Sequence, residues 1–371
     1  MSNNKVSVKE ITRFMELAFL KVGVCEKDAK VCAEVLVESD IRGIASHGIN
    51  RFKAFYIDRI LSHIQEPISR IEILKDTPTT AVIDGHNGMG MVIAKKAMEM
   101  AIIKAKQLGI GMVVVRNSTH YGIAGYYASM AVKHDLIGIT GTNARPAIAP
   151  TFGVDNMLGT NPLTFGMPSD EAFPFMLDAA TSTIQRGRIE YYAKNGIQTP
   201  VGLVIDQEGK SLTDSEKILK MLVQNQAALT PLGGAGEAHA GYKGYGYATV
   251  VEILSSALQS GSFLHLLSGI DQEGNPKPIP VGHFFIAINP SFFMGIDAFK
   301  RTTGDILRQL RNSKVSKGEE RIYTAGEKEY LSSKKVLEEG ILVTDAILKD
   351  LLEVKEKLQI AFEFSFERQD A

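Results

Sequence analysis

The stretch Asp40 to Tyr56, D-I-R-G-I-A-S-H-G-I-N-R-F-K-A-F-Y, carries an imidazole and a guanidinium four residues apart, at His47 and Arg51. An imidazole gives up or takes a proton near neutral pH, and a guanidinium holds a carboxylate by two parallel hydrogen bonds. Side by side they suit a small carboxylic acid whose neighbouring carbon is being oxidised or reduced. A solvated surface histidine beside a surface arginine is the plain alternative, and these two residues alone do not decide against it. Local signals supply a scaffold for the pair. Gly43 suits the left-handed residue that closes a helix and Ser46 the N-cap of the next, so the stretch reads as helix, short turn, helix. On the second helix Ile49, Phe52, Tyr56 and Ile60 share one face, which leaves His47 and Arg51 together on roughly the opposite one.

A second histidine follows an apolar run. Gly111 to Arg116, G-M-V-V-V-R, reads as a buried strand, and N-S-T-H-Y-G leads from it into a helix with Tyr126, Tyr127 and Met130. Ligands of α/β sheets collect beyond the carboxyl ends of strands, so His120 stands where a reactive group would be placed. A turn histidine bonded to a backbone carbonyl has the same signature. Later, P-F-M-L-D-A-A-T-S runs a strand into a polar cluster at Asp178, Thr181 and Ser182, around Ala179 and Ala180. Hydroxyls and small residues there offer donors to phosphate or ribose, although an ordinary strand-end turn has the same composition. The segment P-L-G-G-A-G-E-A-H-A-G-Y-K-G-Y-G-Y opens a long apolar helix from about Tyr245 to Leu258. Glycines before a helix N-terminus, with Lys243 beside them, make either an anion site or a close packing contact. Neither glycine-rich segment has a known phosphate-binding spacing: Gly85, Gly88 and Gly90 run G-x-x-G-x-G, and the later one is not a P-loop.

These groups need elements to hold them. Ser7 with Glu10 three residues on makes a capping box, followed by Ile11, Phe14, Met15 and Ala18 at helical spacing. A first helix ends at Gly23, a second runs from Glu26 to about Asp40, and no strand pattern interrupts this part. From Thr80 the texture changes: A-V-I-D-G reads as a strand and turn, and an Ala- and Met-rich helix runs from Met91 to Leu108. Further strands fall at Leu136 to Thr140, at Leu203 to Ile205 and at F-F-I-A-I-N-P. Helices from about Phe293 to Asn312 and from near Asp345, either side of a charged linker at Lys314 to Glu320, complete the chain.

A chain of 371 residues exceeds what one core supports, so two or more lobes are expected. Formal net charge is −1, which points to a small-molecule partner rather than nucleic acid or an anionic membrane. No apolar signal core and no run of eighteen apolar residues occur, and a cytoplasmic protein is expected. The two cysteines, Cys25 and Cys32, are too few for a disulfide framework or a zinc site. Seven apart, they read as neighbours on a helical face and as small core residues.

Taken in order, the motifs resemble the malate/L-lactate dehydrogenase family of the second type, which includes ureidoglycolate dehydrogenases, diketogulonate reductases, sulfolactate dehydrogenases and piperideine-carboxylate reductases. The resemblance spans nearly the whole chain. It is carried by D-I-R-G-I-A-S-H-G-I-N-R at Asp40 to Arg51, N-S-T-H-Y-G-I-A-G-Y-Y at Asn117 to Tyr127, L-G-T-N-P-L at Leu158 to Leu163, L-D-A-A-T-S at Leu177 to Ser182 and K-G-Y-G-Y at Lys243 to Tyr247. It implies an α/β fold with a non-Rossmann nucleotide-binding domain on a mixed β-sheet and a helical N-terminal domain, and hence no dinucleotide fingerprint. The expected division is 1–75 as a helical substrate and dimer domain, joined by C-terminal helices within 295–371, and 76–294 as the NAD(P)-binding domain. By the same resemblance the chain is expected to be a homodimer that transfers hydride between NAD or NADP and a small 2-hydroxy or 2-oxo carboxylic acid, without a metal. His47 or His120 would exchange the proton, Arg51 would grip the carboxylate and Ser46 would steady the hydroxyl or the imidazole. His120, Tyr121, Gly122, Ile123 and Ala124, with Thr160, Asp178, Ala179, Ala180, Thr181, Ser182 and Lys243, are the expected cofactor contacts. Ala179 and Arg188 stand where the family usually has a methionine and often a lysine, which bears on cofactor preference. Malate or lactate dehydrogenation is the expected activity; ureidoglycolate dehydrogenation, imino-acid reduction and an inactive nucleotide-binding homologue are the alternatives.

Overall fold

The computed structural model describes residues 4–366, so residues 1–3 and the last five of the expected C-terminal segment, 367–371, lie outside the described residues. In chain order the first elements are β1 Asn4–Val6, α1 Val8–Lys21, α2 Glu26–Ile41, α3 Ile49–Phe52, a π-helical turn Lys53–Ile57 and α4 Asp58–Leu61. Then come β2 Glu72–Asp76, β3 Thr80–Asp84, α5 Gly90–Leu108, β4 Ile110–Ser118, α6 Ala124–Val132, β5 Ile137–Thr142, β6 Leu163–Met167 and β7 Phe175–Ala179. They are followed by α7 Arg186–Lys194, β8 Val204–Asp206, α8 Ser215–Val223, β9 Ala227–Leu229, α9 Gly241–Leu254 and β10 Val281–Ile288. The last are α10 Ile296–Arg311, α11 Glu327–Glu339, β11 Ile341–Val343 and α12 Asp345–Lys357.

The N-terminal helices form as their patterns require, with two local differences. Ser7 Oγ accepts from the N–H of Glu10 and caps α1, and Ile11, Phe14, Met15 and Ala18 are buried. The second half of the expected capping box is missing, because the Glu10 carboxylate accepts instead from the backbone N–H and hydroxyl of Ser365. A stronger tertiary partner thus takes the side chain and ties the end of the described chain to the first helix. Cys32 is buried within α2, whereas Cys25 is exposed at its N-cap. Helical spacing applies only inside a helix, and Cys25 precedes the first turn. The N-terminal segment also contains a strand that its pattern did not announce: β1 pairs antiparallel with β11.

The seven-stranded sheet has the order β2-β3-β4-β10-β5-β6-β7. Its pairs are antiparallel except β3 with β4, so it is mixed. α5 packs on β4 through an Ala- and Met-rich face including Ala94, Ala97, Met98 and Ala101, all buried. The helix must start at Gly90, since a Cβ there would lie 2.2 Å from the carbonyl oxygen of Thr119, just before His120. That approach fixes the end of β4 against the start of α5. One core joins the N-terminal helices to α5, α6, β4 and α12, while a second cluster, including Ile148, Ile189, Val204, Ile218 and Ala248, lies between residues 148 and 248.

His283 in β10 is fully buried, with Nδ1 2.8 Å from Thr142 Oγ1 and its ring stacked 4.4 Å from that of Tyr121. Burial pulls this imidazole from 6.5 down to about 3. Below pH 6.5 the unfolded chain takes up a proton that the folded chain refuses. The stability is therefore full above 6.5 and lost as pH falls toward 3, on the order of 5 kcal/mol for this group. Asp40 opposes it in part. Burial raises its carboxyl to about 7, so its cost to the folded state is largest above 7 and is relieved as pH falls toward 3.8. Urea unfolding between pH 7.5 and 4 should show His283→Asn losing less stability on acidification than the wild type. Equal slopes would rule out His283 as a source of acid lability.

Candidate active site

The turn between α2 and α3 sets the first half of the site. Gly43 has φ +76° and closes α2, as its type suggests. Ser46 is not the cap of the next helix: α3 begins after Gly48, and Asp40 Oδ2 accepts from the N–H of Ile49 at 2.8 Å. A carboxylate reaching back across the tight turn supplies the acceptor, and a Cβ on Gly48 would lie 2.2 Å from both of its oxygens. Ser46 is thereby free to bond His47 Nδ1 at 2.9 Å. His47 stands in the turn rather than on a helical face. Arg51 folds back to it by donating from Nε to the carbonyl oxygen of Ser46 at 2.8 Å. The pair meets through the turn, not through helical periodicity, while Ile49, Phe52, Tyr56 and Ile60 are buried as expected.

His120 arrives from beyond the end of β4. Its ring lies 5.8 Å from that of His47, nearly parallel at 18°. Nδ1 is 2.6 Å from the Tyr56 hydroxyl and accepts from the N–H of Gly122 at 3.3 Å. A backbone N–H can only donate, so Nδ1 must offer its lone pair and the proton of the neutral ring sits on Nε2. Tyr56 then donates its hydroxyl proton to Nδ1. Phe55 meets the edge of His120 at 5.4 Å, and two guanidiniums lie over the Phe55 ring, Arg51 at 4.9 Å and Arg59 at 4.6 Å.

Electrostatics keep both imidazoles neutral. Desolvation lowers His47 from 6.5 to about 4, and the Arg51 guanidinium pushes the same way. His120 is held well below 6.5, first by burial and then by His47, Arg59, Arg51 and His283. Near pH 7 the pair therefore has one defined N–H at His120 and a second titratable ring at His47.

The other expected residues fall into a connected wall. Tyr121, Gly122, Ile123 and Ala124 are buried as the chain enters α6. Asp178 Oδ2 accepts from the N–H of Gly125 in the first turn of α6 at 2.6 Å, and Oδ1 accepts from the Thr164 hydroxyl at 2.9 Å. A carboxylate suits that position against the positive helix end. Thr181 donates its N–H to the carbonyl oxygen of Thr160 at 2.9 Å, and Leu232 N–H bonds the Thr181 carbonyl at 2.9 Å. Ala179 and Ala180 lie partly open along the same strand end. The Ser182 hydroxyl is buried with no partner among the described residues. Lys243 sits within the first turn of α9, which starts four residues earlier than its apolar pattern suggests, and Gly244 packs on the backbone of Leu232. His47, His120, Arg51 and Ser46 thus meet directly, while Thr160 and Thr181 bond each other in loops and Lys243 stands on α9. Gly187 in α7 lies against the first of these groups, its Cβ position 3.5 Å from Arg51 Nη2 and 3.8 Å from Ser46 Cβ.

Sequence reasoning missed Phe55, Arg59 and Gly187, and took Tyr56 for a packing residue only. Arg51, Phe55 and Arg59 follow one another at four-residue steps, a stripe that the sequence displays. Nothing local marks Gly187. Among the described residues no group of three or more His, Cys, Asp or Glu is arranged to hold a metal ion, and no helix is long and apolar enough to cross a membrane.

Comparison with known proteins adds an independent line. The sequence model of the family described as malate/L-lactate dehydrogenase matches residues 6–352. Malate dehydrogenase of Pyrococcus abyssi is 40% identical over 356 residues, covering 96% of this chain and 95% of that protein. L-sulfolactate dehydrogenase of Methanocaldococcus jannaschii is 40% identical over 346 residues, covering 92% and 94%. The crystal structure of malate dehydrogenase from Entamoeba histolytica superposes with a TM-score of 0.94 at 42% identity, covering 98% of this chain and all of that one.

Proposed function

The chain belongs to the malate/L-lactate dehydrogenase family and is an oxidoreductase acting on the CH–OH group of a small hydroxy acid with a nicotinamide nucleotide, and we propose that malate and oxaloacetate are its preferred pair. The observation that carries the site assignment is the approach of His47 and His120 to 5.8 Å with Arg51 folded back on the same turn. Arg51 binds the carboxylate beside the reacting carbon through its guanidinium fork. His120 donates Nε2–H to the oxygen on that carbon. With its lone pair committed to Tyr56 and Gly122, His120 has none to offer an alcohol, so His47 takes the hydroxyl proton during oxidation and returns it during reduction. Ser46 accepts from His47 Nδ1–H and leaves Nε2 free for that exchange. A carboxylate on Arg51 also screens the cation that helps keep His47 neutral, so the proton affinity of His47 rises as substrate binds.

A bound nicotinamide nucleotide supplies or accepts the hydride. The wall of Thr160, Asp178 to Ser182 and Lys243, next to the loop from His120 to Ala124, would hold it. The buried, unpartnered Ser182 hydroxyl fits a ligand that brings its own polar groups. The helices of 1–75, with those of 295–366, present the acid-binding turn, and 76–294 carries the nucleotide side. A cytoplasmic homodimer using NAD or NADP completes the reading. A panel of 2-oxo acids with NADH and with NADPH, read as loss of nucleotide absorbance, tests it. Oxaloacetate should give the highest kcat/KM, and activity should survive a chelator. Failure of every 2-oxo acid with both nucleotides would defeat the proposal.

A further inference from the structure

A cavity of about 360 Å³ opens beside Phe55, lined among others by Ala54, Asp58, Arg59, Arg145, Lys277 and Ile279. Its volume lies within the range of small-molecule sites. Three of these residues are cations. Asp58, which would balance one of them, is already engaged by Lys53 at 3.1 Å and Lys357 at 3.6 Å. Among the described residues no carboxylate lies within ion-pairing distance of Arg59, Arg145 or Lys277. Arg59 is half-buried, and its guanidinium lies over the Phe55 ring. Burial lowers its proton affinity, and Arg145, lining the same cavity, pushes the same way. Gathering like charges without a counter-ion costs free energy, and a ligand anion would relieve it.

Phe55 links the cavity to the reacting groups through Arg59, which lines the one and lies over the ring that touches the other. Phe55 touches His120 on its edge and carries Arg51 and Arg59 over its ring, so one aromatic side chain connects two arginines with different surroundings. Arg51 belongs to the His47 turn and Arg59 to the cavity. From this the geometry points to a second anion subsite, in which Arg59 and Arg145 bind the distal acid group, carboxylate or sulfonate, of a dianionic 2-hydroxy or 2-oxo acid whose first carboxylate is on Arg51. The inference rests on the malate and oxaloacetate reading above and names the residues that select the second acid group. A monoacid such as pyruvate fills the first subsite and leaves the second without an anion.

The test uses the full chain and its Arg59→Gln and Arg145→Gln variants, with oxaloacetate and pyruvate as paired substrates and both nicotinamide nucleotides. Arg145 is exposed, so its variant keeps the fold even if the Arg59 change disturbs packing. Each variant should lower the ratio of kcat/KM for oxaloacetate over pyruvate by about tenfold or more, the scale of one lost charge-assisted contact. An unchanged ratio in both variants overturns the subsite. So does a raised KM for the nucleotide in place of the acid, which would assign the cations to a cofactor phosphate. A wild-type chain that reduces neither acid overturns the functional reading and the subsite with it, and that result is obtained before any variant is compared.

Discussion

His47→Ala should lower kcat for oxidation of the hydroxy acid by two to four orders of magnitude, the usual range for removing a positioned proton acceptor. The lone pair assigned to Tyr56 and Gly122 leaves no second base on His120. His120→Ala should cost roughly a hundredfold, because it removes a hydrogen bond to the oxygen where charge develops but leaves a proton acceptor in place. The pH profile separates these roles. For the free enzyme, kcat/KM for oxidation should rise with pH through a limb near 4, where His47 loses its proton, and be flat above it. The profile of kcat should place that limb higher, since bound carboxylate offsets Arg51. The limb should vanish in His47→Ala and persist in His120→Ala. Tyr56→Phe should lower kcat about tenfold while keeping the limb, because the imidazole loses the hydroxyl that fixes its proton on Nε2. Wild-type turnover by both histidine variants with a good substrate would remove the pair from the mechanism.

That mechanism depends on contacts of unequal legibility. Continuous apolar runs announce β4 and β10, and the Ala- and Met-rich period announces α5, because burial on both faces or on a helical stripe imposes these patterns directly. β2 is mostly exposed and β1, β9 and β11 are three residues long, too short to show a period, whereas β8, equally short, is marked by the turn residues that follow Leu203 to Ile205. α7, α8 and α11 carry few buried residues and went unseen. The candidate site was legible as a set of residue types, but its local geometry was not. Gly48 and Asp40 displace the expected cap from Ser46, a substitution of one acceptor for another that depends on how α2 and α3 face each other. Tyr56 satisfies the packing pattern and bonds His120 as well, because a tyrosine buries its ring and still carries a hydroxyl that needs a partner. Spacing reports the ring and is silent about the hydroxyl.

Arg51 is where the acid-binding proposal meets the largest change in substrate affinity. Arg51→Ala should raise KM for the acid roughly a hundredfold or more, the scale of a lost bidentate charge-assisted pair. Its Nε also donates to the Ser46 carbonyl, so the alanine variant loosens the turn that carries His47, and kcat should fall as well. Arg51→Lys distinguishes the two effects. Lysine keeps the positive charge but cannot hold the turn and offer a planar fork at once, so KM should recover only in part. Added guanidinium ion should lower KM in Arg51→Ala by occupying the vacated position, and should not help the lysine variant. Urea midpoints for the alanine variant should stay close to wild type, because the side chain is only partly buried and makes one backbone hydrogen bond. KM reports binding where chemistry is slow relative to substrate release, a condition that His120→Ala in the same background would enforce. An unchanged KM for the acid in Arg51→Ala would exclude this residue as the carboxylate anchor, and the second anion subsite would then have no first one to complement.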